Sequence, residues 1–511
     1  MGIPNVNFSD TVKANVKIPE QAGTIKKQQN RPRLLTLDPI QGERHASWLE
    51  LFFDLVYVLA VAQVAHILSD HSDFNGFLKY AVLFVPVWWS WVGFTFYADR
   101  FETADTTYRV LNFAGMLAVT GFSLTLATAF SVKGDTAFII CYVLVRLVLI
   151  TLYARSAYYI PLARSFCLQF ITGFGSACAL LLISLAFPRP FRYAIWAAAI
   201  VLELVTPYLN LRIARLFPID RSHIPERFGL FTIIVLGEAV IATATGASLV
   251  EWNFSTVAAA CLGFAMAACI WWINFDFVED SAIKSRSLRT RFIYLYGHFF
   301  VVAAIVAMGI GVEHAIKEST EAHLHFPTLA LLTIGVAVYF GVITIIRFIA
   351  DICYLINVRL ATIAVALSLL YFGQFLPPLA VLAILWLLFS ASVWLETLYA
   401  PEKSEAEETP VLEPCEHADE MTIFHPRIGG GCEECRKNNY KWVHLRLCLS
   451  CGHVGCCDSS VHKHATKHFH ATAHPVMASL EPGENWSWCY ADERFVPMPR
   501  KVVNKPTETI E

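Results

Sequence analysis

Stretches of about 20 apolar residues, each long enough to cross the hydrocarbon core of a bilayer as a helix, recur from Trp48 to Ala400. Twelve can be drawn, at roughly 48–68, 76–98, 108–131, 136–157, 164–187, 191–211, 227–248, 255–276, 290–315, 327–349, 358–375 and 377–399, with a short hairpin at Pro377-Pro378 separating the last two. A backbone in lipid must satisfy its polar groups internally, so these segments can only be packed helices. Composition agrees: 56% of the chain is hydrophobic and 16% charged, with a mean hydropathy of +0.50, beyond what a soluble domain carries. The expected fold is an all-α polytopic membrane domain of about twelve transmembrane helices over 45–400, followed by a small α+β domain over 415–496 and a polar tail over 497–511.

Loop charge orients the spans. Residues 1–44 carry Lys13, Lys17, Lys26, Lys27, Arg31, Arg33 and Arg44 and no apolar core of a signal peptide, so they read as a basic cytosolic tail. With that tail inside, the even-numbered connections hold Arg100, Arg109, Arg155, Arg164, Arg212, Arg215, Arg221, Arg227, Lys284, Arg286, Arg289, Arg291, Arg347 and Arg359. The opposite face has only Lys79, Lys133, Arg189, Arg192 and Lys317. The asymmetry predicts a multi-pass protein of the plasma or inner membrane with both termini in the cytosol, where cysteines stay reduced. The bilayer is therefore the expected partner; a net charge of −3 without a basic block argues against nucleic acid.

The spans hint at a 6+6 duplication. Trp88-Trp89 precedes Arg109 and Gly115, as Trp271-Trp272 precedes Arg291 and Gly297, with six residues from arginine to glycine each time. Asp54 and Glu238 sit in the lead helices, and Leu202-Glu203 and Leu395-Glu396 near the ends of the last ones. Two copies with an even number of spans share orientation and are related by an axis along the membrane normal.

A charge in hydrocarbon is costly, so ionisable residues within spans pair, face the bundle interior or line a wet path. The candidates are Glu50, Asp54, Arg146, Glu203, Glu238, Asp276, His298 and Arg347. Arg146 needs an acid, for which Asp54 or Glu238 would serve. Two readings stay open: a proton- or cation-handling pathway between the halves, or structural ion pairs that lock helix packing. Trp88, Trp89, Trp91, Trp271 and Trp272 read as interfacial anchors, and Gly237, Gly115 and Gly297 as close helix contacts.

The segments His45-Ala-Ser-Trp-Leu-Glu-Leu-Phe-Phe-Asp54-Leu-Val-Tyr-Val and Glu226-Arg-Phe-Gly-Leu-Phe-Thr-Ile-Ile-Val-Leu-Gly-Glu238 resemble the signature stretches of the bacterial low temperature requirement A family. The resemblance covers approximately 40–400 and implies a multi-pass membrane protein. It marks His45, Glu50, Asp54, Glu226 and Glu238 as motif residues but brings no biochemical activity with it.

After an acidic, proline-bounded linker at 401–414, metal-ligand residues crowd together: Cys415-x-His417, Cys432-x2-Cys435, Cys448-x2-Cys451, Cys456, Cys457, His462, His464, His468, His470, His474 and Cys489. Two CxxC knuckles followed by closely spaced histidines supply thiolate and imidazole donors at the spacing tetrahedral zinc requires. Spacing alone does not choose between Cys456 and Cys457, nor exclude His462 or His470.

The string Cys448-Leu-Ser-Cys451-Gly-His-Val-Gly-Cys456, with His464-x3-His468, His474-Pro475 and Trp488-Cys489-Tyr490, resembles the UBP-type zinc finger, a family that usually reads the free C-terminal tail of ubiquitin. Carried onto this chain, the family's pairing implies one site from Cys432, Cys435, Cys456 and His464 and another from Cys448, Cys451, His468 and His474. A third would use Cys415, His417 and Cys489, with Asp492 standing where many members have a second cysteine. Zinc is thus the expected cofactor, with two sites and a conditional third. Trp488 and Tyr490 would wall a peptide pocket. Ubiquitin-reading members place an arginine where this chain has Asp458, and an acid there repels a terminal carboxylate. The expectation is weak ubiquitin binding or none, with Arg446 as a compensating cation if a peptide or protein tail does bind.

Two functions follow. One is a transporter or channel for an ion or small solute, with a cytosolic zinc module that regulates or localises it. The other is a membrane receptor or scaffold that displays a peptide-reading finger. No nucleophile, base and oxyanion set is evident, so no enzyme is expected.

Overall fold

The computed structural model describes residues 32–34, 46–102, 105–209, 223–278, 288–349, 354–399, 415, 417, 431–438, 440–458, 460–480, 486–492 and 494–496. His45, the linker at 401–414 and the tail at 497–511 lie outside them. The chain divides into two compact units, Met1–Ala400 and Pro401–Glu511.

The first unit is helical: α1 Trp48–Asp70, α2 Phe74–Arg100, α3 Thr106–Thr125, α4 Gly134–Tyr159, α5 Arg164–Ser184, α6 Arg189–Val205, α7 His223–Ser248, α8 Phe254–Trp272, α9 Leu288–Lys317, α10 Phe326–Ile349, α11 Ile356–Phe372 and α12 Pro378–Tyr399. A two-residue strand β1, Arg33–Leu34, pairs antiparallel with β2, Phe101–Glu102, which follows α2. Helix starts are set by capping side chains: Asp73 accepts the Gly76 N–H at 2.8 Å, Asp105 that of Tyr108 at 2.8 Å and Asn253 that of Thr256 at 3.0 Å.

Eleven helices among the described residues are long and apolar enough to cross a membrane. The expected sixth span is the short one. α6 has 17 residues and gives way to a 3-10 turn, Thr206–Tyr208, because Pro207 has no N–H to extend the ladder.

Neighbour relations recur between the halves. The first helix packs on the second and third, the third on the fourth and the fourth on the fifth in each six. The sixth helices differ, since α6 lies on α5 whereas α12 lies chiefly on α8. The halves meet where α1 and α2 contact α7 and α9. Within the second six, small residues bring α7 against α9: a Cβ on Gly309 of α9 would stand 2.8 Å from the Ala239 Cα of α7, and one on Gly246 of α7 2.8 Å from the Glu313 carbonyl oxygen. Gly115 and Gly297 are near side chains at 3.3 and 3.2 Å, but Gly237 faces open space and marks no contact.

The tryptophan expectation is corrected. Trp88, Trp89 and Trp91 are 3%, 3% and 0% exposed, in the core rather than at an interface, because α2 is one of the two most enclosed spans. Trp271 and Trp272, on peripheral α8, are 47% and 45% exposed.

The second unit is α+β. Helix α13 (Glu433–Lys437) precedes β3 (Leu445–Cys448) and β4 (Val454–Cys456); α14 (His464–Thr472) precedes β5 (Val476–Ser479), β6 (Ser487–Cys489) and β7 (Arg494–Val496). The strands form one antiparallel sheet in the order β4-β3-β5-β6-β7. Its apolar core is small, built on Leu447, Leu449, Val454, Val476, Ala478 and Val496.

Candidate ion path and metal centres

Glu50 and Asp54 lie one turn apart on α1 and both are buried. The His223 imidazole of α7 bridges two acids, with Nε2 2.8 Å from Glu50 Oε2 and Nδ1 3.2 Å from Asp99 Oδ1 of α2. A neutral imidazole has one N–H, so this trio is satisfied only when it holds one further proton, on the ring or on an acid. Asp54 Oδ1 accepts from Trp91 Nε1 at 2.7 Å and Arg227 Nη2 at 2.8 Å, while Arg227 Nη1 is 3.5 Å from Glu50 Oε2. Asp54 Oδ2 is buried and has no hydrogen-bond partner among the described residues.

One level further, the Thr232 hydroxyl of α7 lies 2.9 Å from His298 Nε2 of α9. Beyond it Glu238, also buried, is within electrostatic reach of His66 and Glu313. Glu313 accepts from Ser69 at 3.1 Å and Lys317 at 2.6 Å, and Ser69 lies 3.4 Å from His314 Nε2. Polar groups therefore file along the seam where the halves meet.

Other buried charges sit away from it. Arg146 pairs with Glu203 of α6, Nη2 to Oε2 at 2.5 Å, with the Tyr142 hydroxyl donating to the same carboxylate at 2.6 Å. Neither Asp54 nor Glu238 supplies the partner that Arg146 was expected to take from them. Arg347 and Arg359 both bind Glu396 of α12, the first at 2.9 Å. Arg227, Arg347 and Arg359, counted above among loop charges, are thus buried ion-pair members. Asp276 does not join any path: it is exposed, on a π-helical turn beyond α8.

In the second unit the donor atoms gather into three groups, each with all ligand atoms within 4.8 Å of one another: Cys432, Cys435, Cys456 and His464; Cys448, Cys451, His468 and His474; Cys415, His417, Cys489 and Asp492. Separations such as Cys435 Sγ to Cys456 Sγ at 3.9 Å and Cys451 Sγ to His468 Nε2 at 3.3 Å suit donors about 2.0–2.3 Å from a tetrahedral zinc. Gly452, at φ 75, adopts the left-handed turn that lets its N–H return to the Cys448 carbonyl at 2.8 Å and closes the knuckle. Cys457, His462 and His470 fall in none of these groups: Cys457 Sγ lies 3.6 Å from the Ser460 hydroxyl, His462 stacks on Tyr440 at 4.0 Å and His470 is exposed. His453 stacks on His468 at 4.1 Å and its Nε2 lies 2.7 Å from Glu434 Oε1, orienting a ligand ring.

The proposed pocket residues share one side. Cross-strand pairing sets Arg446, Met477 and Trp488 on the same sheet face. The Arg446 guanidinium lies 4.5 Å from the Trp486 ring centroid, and Trp488 packs edge-on against Phe495 at 4.9 Å. Tyr490 stacks on Phe469 at 5.1 Å within electrostatic reach of both Asp458 and Arg446. Asp458 is exposed and accepts from the Thr466 hydroxyl.

The family model described as bacterial low temperature requirement A protein matches residues 45–394, over half of the 511-residue chain. The chain belongs to the low temperature requirement A family. A second model, the zinc finger of ubiquitin hydrolases and other proteins, matches 432–501. An uncharacterized protein of Rhizobium meliloti, RA0937, is 28% identical over 306 residues, covering 56% of this chain and 73% of that one. Ubiquitin carboxyl-terminal hydrolase 44 of Ailuropoda melanoleuca is 32% identical over 91 residues, covering 17% of this chain but 12% of the hydrolase. A solution structure of protein RPA1320 from Rhodopseudomonas palustris is 48% identical, covering 18% of this chain and 98% of that one, with a TM-score of 0.16.

In this low temperature requirement A protein the first motif meets the start of the second. Glu50 and Asp54 meet the segment that starts α7, and Glu226 Oε2 accepts the Ala46 N–H at 3.2 Å. Sequence reasoning missed His223, Asp99 and Glu313. Asp99 precedes Arg100 at the end of α2 and His223 begins α7, so both resemble loop residues in a linear reading. The recognisable signal was Arg227 beside motif residue Glu226, an arginine inside the motif rather than in the preceding loop.

Proposed function

We propose that the chain is a transporter or channel for an ion or small solute, carrying a zinc-bound cytosolic finger that regulates it or docks a partner. The observation behind this reading is the file of ionisable side chains along the α1/α2/α7/α9 seam, from Glu50, His223 and Asp99 to Glu238 and Glu313. Structural ion pairs alone account for Arg146–Glu203, but not for a row that follows the boundary between two helix sets. If α6, about 25 Å long by helical rise, crosses with the other eleven, both termini lie on one side. A cytosolic location then suits thiolate ligands. The reading is non-enzymatic.

The finger holds two Cys/His zinc ions in this reading, and a third where Asp492 replaces a thiol. In the transport reading the aromatic face with Arg446 serves docking. If docking is the whole function, the protein is a receptor or scaffold, and the paired Arg446, Trp486 and Trp488 face is what favours that second reading.

Purified full-length protein in proteoliposomes, assayed with protons, alkali and divalent cations and organic solutes, tests the choice. Flux of any of them, reduced by Asp54→Asn or Glu238→Gln, supports transport. Absence of flux for every species moves the assignment to the receptor.

A further inference from the structure

Along the seam the polar groups stand at three levels. The inner one holds the Glu50–His223–Asp99 trio and the Asp54–Arg227 pair; the outer one holds Glu238, His66 and Glu313 with Ser69, His314 and Lys317. Between them lies the Thr232–His298 pair. By helical rise Thr232 stands about 7.5 Å beyond Arg227 and about 9 Å before Glu238, gaps that two or three hydrogen-bonded waters span.

Those gaps are packed with rings. Around His298, centroid distances are 5.1 Å to Phe228, 5.5 Å to Tyr294 and 6.0 Å to Trp88. Trp88 lies 5.1 Å from Phe231, and Trp91 4.5 Å from it. A metal ion would have to shed its water shell inside this collar, where the named polar groups are one imidazole, the Thr232 and Tyr294 hydroxyls and indole N–H groups that can only donate, far fewer oxygens than a hard cation needs. A proton needs only a hydrogen-bonded relay.

We infer that the species moved along this seam is the proton, with His298 as the carrier at mid-membrane and the Trp88–Trp91–Phe228–Phe231 collar as its gate. The inference rests on the transport reading. A proton reaching one ring nitrogen of His298 makes an imidazolium, and the proton on the other nitrogen leaves toward the next level. The ring returns neutral with its tautomer exchanged. Thr232 accommodates either tautomer, because its hydroxyl lies 3.0 Å from the Phe228 carbonyl oxygen as well as 2.9 Å from His298 Nε2: it donates to the carbonyl while accepting from an Nε2–H, or donates to a bare Nε2, and a half-turn of the ring restores the starting tautomer. The Glu50–His223–Asp99 trio, which needs one further proton to be satisfied, is the donor and acceptor at the inner end, and the outer Glu238 carboxylate takes the proton on or gives it up. The dry collar interrupts the relay until water enters, a gate by dewetting.

The test uses full-length protein in vesicles with a pH dye in the lumen and a potassium diffusion potential as driving force. Wild type, His298→Asn and Trp88→Ala are compared, with monodisperse size-exclusion profiles required of each. Potential-driven proton flux in wild type, reduced roughly tenfold or more in His298→Asn, supports the relay. Increased flux in Trp88→Ala supports the gate and remains readable if His298→Asn does not fold. Proton flux unchanged in a folded His298→Asn overturns the carrier role. Movement of sodium or potassium without protons overturns the inference and leaves the transport reading standing, whereas movement of no ion or solute removes both.

Discussion

The Arg146 guanidinium on α4 meets the Glu203 carboxylate on α6 at 2.5 Å, and both side chains are wholly shielded. The pair ties the short sixth helix to the bundle, and α10 and α12 repeat it through Arg347 and Glu396. Removing one partner leaves a buried charge unpaired, so Arg146→Met or Glu203→Leu is expected to destabilise the membrane domain by about 3–5 kcal/mol. The double variant is expected to recover most of that loss. Thermal unfolding in detergent, followed on the single and double variants, checks the non-additivity.

Gly309 should tolerate no side chain. A Cβ there collides with Ala239 on α7 at 2.8 Å, so Gly309→Leu must push α9 off α7, at a cost of about 1–3 kcal/mol or more. The Thr232–His298 contact spans the same two helices. A lowered melting temperature is expected together with a changed ion flux; Gly237→Leu, whose site faces open space, should alter neither.

Metal analysis of the full-length protein should find three zinc ions per chain if each donor group is filled. Asp492→Ala is expected to lose one, since Asp492 Oδ2 lies 2.8 Å from Cys415 Sγ and 3.2 Å from His417 Nδ1 in the third group. Cys448→Ser should lose a different one and disrupt the finger, because so small a core leans on metal for its folding energy. Retention of every ion in Asp492→Ala would show that the carboxylate is not a ligand.

Zinc loading should fall with acid. Burial, and then the neighbouring Cys451 thiol, pushes the Cys448 thiol up to about 11, so without metal it is protonated at neutral pH and zinc must expel that proton to bind. Affinity therefore rises with pH. Whatever fold the finger keeps without metal has the opposite slope: a raised thiol value favours that fold fully below the unfolded value of about 8.5, and the contribution is lost as pH climbs through 11. Competition with a chromophoric chelator across pH 5–8 reads the first slope, and calorimetry of chelated protein above pH 8 the second.

A peptide ending in a free carboxylate should bind the finger poorly, because Asp458 is exposed beside Thr466 and Tyr490. Asp458→Arg is expected to tighten binding of a Gly-Gly-ending peptide by roughly tenfold or more, replacing repulsion with a charge-assisted contact. Titration of full-length protein with that peptide decides it; tight wild-type binding would assign the carboxylate to Arg446.

Much of the finger could be read along the chain. Its ligands lie close in sequence, and CxxC spacing with His464-x3-His468 leaves few ways to enclose a tetrahedral ion. Spacing did not choose Cys456 over Cys457; the fold does, since Cys456 ends β4 beside Cys435 whereas Cys457 just past the strand turns to the Ser460 hydroxyl. In the membrane unit the individual helices were legible, the partners of their charges were not. Arg146 and Glu203 are 57 residues apart, and Asp54 and Arg227 are 173 apart; no local period relates them.

By itself the sequence determined that this chain crosses a membrane many times and ends in a metal-binding domain, because both follow from local chemistry: runs of apolar side chains too long for anything but a spanning helix, and thiol–imidazole spacing. Only the tertiary structure decided which charges meet, that Trp88 stacks on His298 instead of anchoring an interface, and that Asp276 stands apart. Those outcomes depend on how helices distant in the chain rotate and pack, which is governed by contacts between them and leaves no mark in the linear pattern of either one.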